Sequence, residues 1–139
     1  MDRKYIVTPD EVETLTLPWG VFQWLNAPDV TGTSKMATGV GTIAPGQGHD
    51  RHNHPGEIEE ILYFMEGEAE QMVEHPDGTI EVKTVRGGDL VSLPAGAYHS
   101  TMNKGKDTVK FLAIYEFSGP EQGMRADPAC IITPAKNKG

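Results

Sequence analysis

The 139-residue sequence carries 16 glycines and 10 prolines, spread along its length rather than gathered in one linker. This punctuation constrains the fold more than any other feature. It cuts the chain into short segments, the pattern of many short strands joined by turns rather than of helices. Strands are predicted over residues 19–25, 35–43, 60–65, 69–73, 79–85, 90–93, 98–102 and 109–117. Pro76-Asp77-Gly78 between two of them reads as a hairpin turn, with further turns at 44–48 and 87–89 and a polar loop over 26–34. Thr8-Pro9-Asp10-Glu11 has the order of a helix start, a threonine cap, proline first and glutamate three residues on. The residues that follow, Val12-Glu13-Thr14-Leu15, are poor helix formers, so one turn at most is expected. Beyond Gly119, with Pro120, Pro128 and Pro134 and little periodicity, an extended tail is expected to pack over the body or a partner. The whole reads as a single all-β domain, an antiparallel jelly roll or similar closed β-barrel.

The formal net charge is −8. No cluster of Lys and Arg is present to neutralise phosphates, so neither nucleic acid nor an anionic membrane surface is an expected partner. No run approaches the ~18 apolar residues of a membrane span, and no apolar signal stretch follows the first residues. The lone Cys130 cannot form an internal disulfide, which fits a reducing, cytoplasmic location.

The chemistry concentrates in two segments. Gly46-Gln47-Gly48-His49-Asp50-Arg51-His52-Asn53-His54 contains His-x-His, and on an extended strand residues two apart share a face. Such a pair alone is often solvated decoration. A carboxylate cluster follows in Glu57-Ile58-Glu59-Glu60, and imidazole nitrogen with carboxylate oxygen suits Zn, Fe, Mn, Ni or Co. The second segment runs from Gly88 through Pro94 and Gly96, which form a tight turn, to His99 and Asn103.

At these residues the chain resembles the cupin superfamily. The first motif of that family is a glycine, five residues, His-x-His, three or four residues, a glutamate, six residues and a glycine; Gly46, His52 and His54 match it. The second, matched at Gly88, Pro94, Gly96, His99 and Asn103, is met at every fixed position. The resemblance implies a cupin-type jelly-roll barrel over residues 35–118, with N-terminal strands and a loop (1–34) packed on it and the extended tail at 119–139. It also implies one divalent transition metal per chain, Fe, Mn, Zn or Ni, held by His52, His54, His99 and a glutamate. Counting forward from His54 gives Glu59 and counting back from Gly67 gives Glu60, so the loop holds one extra residue. Glu60 is preferred, because a strand fixes parity up to Gly67 and places Glu60, Leu62 and Phe64 inward, whereas residues 55–58 can absorb an insertion. Glu59 is then a loop residue near the metal.

His49 reads either as a solvated turn residue or as an acid/base group at the pocket mouth. With Glu60 and Glu59 it completes the candidate proton-moving groups, and Tyr98 and Tyr115 are further possibilities. His75, in the hairpin turn, and Asn103 read as structural. Trp19, Phe22, Trp24 and Phe64 read as core or pocket wall. Arg86, Lys35 and Arg125 are potential carboxylate anchors but more commonly solvated charges. The family resemblance points to a metal-dependent enzyme on a small oxygenated metabolite, a dioxygenase ahead of a sugar isomerase, decarboxylase or lyase. The alternative from another class is a non-catalytic small-ligand binding module; no helix-turn-helix accompanies the barrel, which disfavours a sensor. A homodimer is expected, since open sheet edges need cover.

Overall fold

In the computed structural model, every residue except Met1, Ser34, Pro55, Glu57, Lys138 and Gly139 is described. A short 3-10 turn, Pro9–Glu11, comes first, and the Glu11 carboxylate accepts from the Thr8 backbone N–H at 2.7 Å. Eleven strands follow: β1 (Thr14–Leu17), β2 (Gly20–Asn26), β3 (Ala37–Ile43), β4 (Gly48–His52), β5 (Glu60–Glu66), β6 (Glu68–Glu74), β7 (Ile80–Arg86), β8 (Leu90–Leu93), β9 (His99–Met102), β10 (Val109–Tyr115) and β11 (Ile131–Thr133). All pairings are antiparallel.

The strands form two sheets, β11-β1-β2-β3-β10-β5-β8 and β4-β9-β6-β7. Among the described residues no hydrogen-bonded strand pair joins one sheet to the other, so in place of the expected closed barrel there are two separate sheets. Every second residue of β3 and β10 is buried, the period-2 alternation of a strand with one face on the core. Phe22, Trp24, Phe64, Phe111 and Tyr115 meet in that core, with ring centres 4.6 Å apart for Phe22 and Trp24. Two glycines make room for them. A Cβ on Gly39 would lie 2.1 Å from the Phe22 ring, and one on Gly41 would lie 2.3 Å from the Phe111 ring. Strand β7, at an edge, buries only Val85.

Three expectations need correction. The segment at residues 12–15 leads into β1, which the sequence reading did not anticipate; threonine and leucine alternate there and Leu15 and Leu17 are buried. The loop over 26–34 holds a four-residue helix, α1 (Pro28–Thr31), opened by its proline and ended by Gly32 in the left-handed region. The tail is not extended throughout. It forms the helix α2 (Pro120–Ala126) and then β11, which pairs with β1. Pro120, one of the prolines behind the expectation of an extended tail, occupies the first turn of α2, where its missing N–H costs nothing.

Candidate metal centre

Strand β9 brings His99 to the site, and the turn before it is built by Pro94 and Gly96, the latter at φ 76. Gly96 is a position where only glycine adopts the backbone without strain. His52 closes β4 directly opposite His99 in the β4–β9 ladder. The regular strand expected to carry both His52 and His54 is not formed, because β4 ends at His52. The β4–β9 register slips between His49 and His52, and this irregularity stacks the two rings at 3.5 Å. His54 lies beyond the end of β4 and reaches the same place from the following loop. The ligand-type atoms of His52, His54 and His99 all lie within 4.8 Å of one another.

Two of these imidazoles are oriented by the backbone. His52 Nδ1 lies 2.6 Å from the Asp50 carbonyl, and His99 Nδ1 lies 2.9 Å from the Ala97 carbonyl. A carbonyl only accepts, so each Nδ1 carries the proton and each Nε2 keeps its lone pair. That is the usual way a protein presents histidine to a metal.

Glu60 opens β5, opposite Tyr115 of β10 and Leu93 of β8. It is 4% exposed, and Leu62 and Phe64 are buried with it. Its Oε1 lies 3.0 Å from His54 Nε2 and 3.4 Å from His99 Nε2. Burial opposes ionisation of this carboxyl, but His54 and His99, when protonated at Nε2, donate to it and set positive charge beside it, which outweighs burial and lowers the group to about 2. Glu60 Oε1 and His54 Nε2 are nonetheless buried without a partner in hydrogen-bond geometry. Buried polar atoms are seldom left so. Together with two inward-facing Nε2 lone pairs, they form a donor set that suits a divalent transition metal.

Glu59 is exposed and lines neither cavity at the site, and its backbone N–H donates to Glu116 Oε1. Of the loop expected to absorb the extra residue, Pro55 and Glu57 lie outside the described residues. His49 is partly buried rather than solvated, sandwiched between His52 and Trp19; its ring centre is 4.8 Å from that of Trp19, with planes 7° apart. Burial, then the neighbouring histidines, lowers His49 to about 3 and His52 to about 4. Tyr115 is buried, and burial together with the Glu60 charge keeps its phenol neutral well past its ordinary range.

A small inner cavity of about 40 Å³ touches Glu60, His99 and Thr101, and an outer one of about 500 Å³ opens beyond it. The two share Trp19, His49, His52, His54, Tyr115 and Met124. Met124, Pro120 and Asp127 reach the outer wall from α2 and the residue after it, and sequence reasoning missed them. Their only signal was the proline at a potential first helical position. Asn103 is 1% exposed and structural in its contacts, and His75 pairs with Glu81 in the hairpin at 3.0 Å. Tyr98 lies under the Arg51 guanidinium, 3.8 Å from its ring centre, and does not line the cavities.

Acid should destabilise the metal-free chain. His49 and His52 have folded values below their unfolded ones, so the unfolded state takes up more protons below about pH 6.5. Glu60 acts the same way below about pH 4.5. The expected loss is on the order of 2 kcal/mol between pH 6.5 and 5. Denaturant titrations of chelator-treated protein across that window measure it, and a flat profile would contradict the burial of these rings.

Residues 39–115 match the family model of the cupin domain. Curated relatives are a germin-like protein of Morus alba, 30% identical over 83 residues, covering 60% of this chain and 38% of the relative. Another is germin-like protein subfamily 2 member 2 of Arabidopsis thaliana, 27% identical over 112 residues, covering 79% of this chain and 51% of the relative. The chain thus spans about half or less of the length of these relatives. Among solved structures, recombinant oxalate oxidase in complex with glycolate superimposes with a TM-score of 0.67 at 22% identity, covering 74% of this chain and 53% of that one. Oxalate decarboxylase from Bacillus subtilis, a protein with Mn(II) centres, superimposes with a TM-score of 0.65 at 20% identity, covering 86% of this chain and 28% of that one. These structural likenesses are likenesses of fold.

Proposed function

The chain belongs to the cupin family, and from that premise we propose that it is a metal-dependent enzyme acting on a small oxygenated metabolite, a non-heme dioxygenase ahead of an isomerase, decarboxylase or lyase. The observation that carries the reading is the pair of buried, unpartnered donors, Glu60 Oε1 and His54 Nε2, at the point where His52 and His99 present Nε2. His52, His54, His99 and Glu60 would hold the ion. Three neutral imidazoles and one carboxylate leave a +2 ion about one net positive charge, with one or two positions open if it takes five or six ligands. When bound, such an ion polarises an oxygen substituent as a Lewis acid or, if redox-active, exchanges electrons with it.

The protein's own groups divide the remaining work. Glu60 stays ionised at neutral pH and supplies negative charge in a buried place. Tyr115 stays protonated beside it and can donate a hydrogen bond but not accept a proton. His49 lines both cavities and is neutral at pH 7, but burial lowers its basicity to about 3, which fits it to contact the substrate rather than to hold a proton taken from it. The largely apolar walls lower the polarity around the reacting end. Decarboxylation is kept as the second reading by the relatives named for acting on oxalate, and their likeness of fold does not choose between reactions.

Elemental analysis of the purified chain, followed by O2 uptake after loading with Fe(II) and a diketone and catechol panel, tests the proposal. About one transition metal per chain with O2 consumption supports the dioxygenase. Metal without O2 uptake moves the reading to isomerase, decarboxylase or lyase, and no metal after reloading leaves the small-ligand binding module. We also propose a homodimer, supported by the edge strand β11, where Ile131 and Ile132 are exposed. Light scattering near twice 15.1 kDa supports it and a monomer refutes it. A cytoplasmic location is supported only by the lone Cys130.

A further inference from the structure

The outer cavity is walled largely by carbon. Leu17, Trp19, Ile58, Pro120 and Met124 line it, and among its described lining residues there is no lysine or arginine. The cations that might have anchored a carboxylate are engaged elsewhere or exposed. Arg86 pairs with Glu68, Arg125 pairs with Glu13 and Asp29, and Lys35 is exposed and outside both cavities. Apart from the histidines, the one ionisable side chain on the outer wall besides neutral Tyr115 is Asp127, an acid. A small dianion entering here would give up its hydration and meet no compensating charge before the inner end.

The shape supports the same conclusion. Trp19, His49 and His52 form a continuous stack of parallel rings along the wall. The outer volume of about 500 Å³ is that of a small-molecule site, whereas the inner one of about 40 Å³ admits only a few atoms. We infer that the substrate has an uncharged, flat, apolar body of one or two rings, held in the outer cavity beside Trp19, and a compact oxygen-bearing end that alone enters the inner one. The site disfavours small dianions. This rests on reading the inner site as a metal centre for an oxygenated metabolite and adds the class of molecule it takes. Trp19 and Gly123 are the selecting positions. Gly123 of α2 lines the outer cavity, and a Cβ there meets no atom within 4 Å. The first carbon of a side chain placed there thus enters open space, so Gly123→Leu should narrow the cavity, and it favours the helix.

The test uses two ligands with the same oxygen pair, acetohydroxamate and 2-naphthohydroxamate, titrated calorimetrically into Mn(II)-loaded protein, with oxalate as a third. The naphthyl compound should bind at least about tenfold tighter than the methyl one. Gly123→Leu should reduce that ratio below about threefold while Mn content and acetohydroxamate affinity hold, and Trp19→Ala should do the same if it folds. Equal affinities, a ratio untouched by Gly123→Leu, or oxalate binding tightest of the three would overturn the inference. Failure to retain Mn would instead count against the metal-centre reading. The cavity is then tested on the metal-free chain by tryptophan quenching with 2-naphthol. Saturable binding lost in Gly123→Leu supports the inference, and no binding overturns it.

Discussion

Replacing His99 with alanine is expected to weaken retention of a divalent transition metal by at least about 100-fold, since residues that merely orient metal ligands already account for 10- to 100-fold when removed. His99 is the most buried of the three histidines, and its Nε2 is aimed at Glu60 by the Nδ1 bond to Ala97. Removing the imidazole leaves His52 on the neighbouring strand and His54 on the loop after it, with a gap that water must fill. Glu60→Gln should behave similarly, because an amide oxygen is a far weaker donor than a carboxylate. Glu59→Gln should leave metal content unchanged, as that side chain is exposed and off the cavities. Equilibrium dialysis with elemental analysis reads all three variants. Full metal in His99→Ala would refute the ligand set, and loss in Glu59→Gln with retention in Glu60→Gln would reverse the choice of glutamate.

The second large effect is on stability. Asn103→Ala should destabilise the fold by about 3 kcal/mol, a drop in melting temperature on the order of 10 °C. The Asn103 amide donates to the Ile43 carbonyl and the Asp107 carbonyl, each at 2.8 Å, and its oxygen accepts from the Gly105 N–H at 3.0 Å. One side chain thus ties the end of β3 to the turn leading into β10. Alanine would remove all three bonds, and the Ile43 carbonyl lies where water has poor access. Aspartate in the same place keeps one acceptor but loses both donors, so Asn103→Asp should be nearly as damaging. Thermal unfolding measures both. Metal content in the surviving folded fraction should be unchanged, and a selective loss of metal at wild-type stability would instead make Asn103 part of the site.

The strand segments were legible because alternation and turn residues are local signals. The β5 parity through Glu60, Leu62 and Phe64 and the hairpin around Pro76-Asp77-Gly78 follow from a few consecutive residues each. Expectations failed where a segment's conformation depends on what it packs against. Residues 14–17 are strand because β2 and β11 flank them. Residues 120–126 are helix although proline-led and carrying a glycine, and the packing of Met124 on the core and the Arg125 pairs with Glu13 and Asp29 hold them there.

By itself, then, the sequence determined an all-β chain whose spaced histidines and glutamate are the stock of a metal site, because strand alternation and donor chemistry are written in neighbouring residues. It preferred Glu60 to Glu59 by parity alone, and the pairing of β5 with β10 and β8 is what buries Glu60 and leaves Glu59 exposed. It left His49 undecided. A register slip between two strands far apart in the chain turns that ring into a stack with His52 and Trp19, and no local pattern encodes such a slip. The apolar outer pocket is likewise tertiary, since its walls come from β1, the turn before β2, the loop after β4 and α2, segments brought together only by the packing of the sheets.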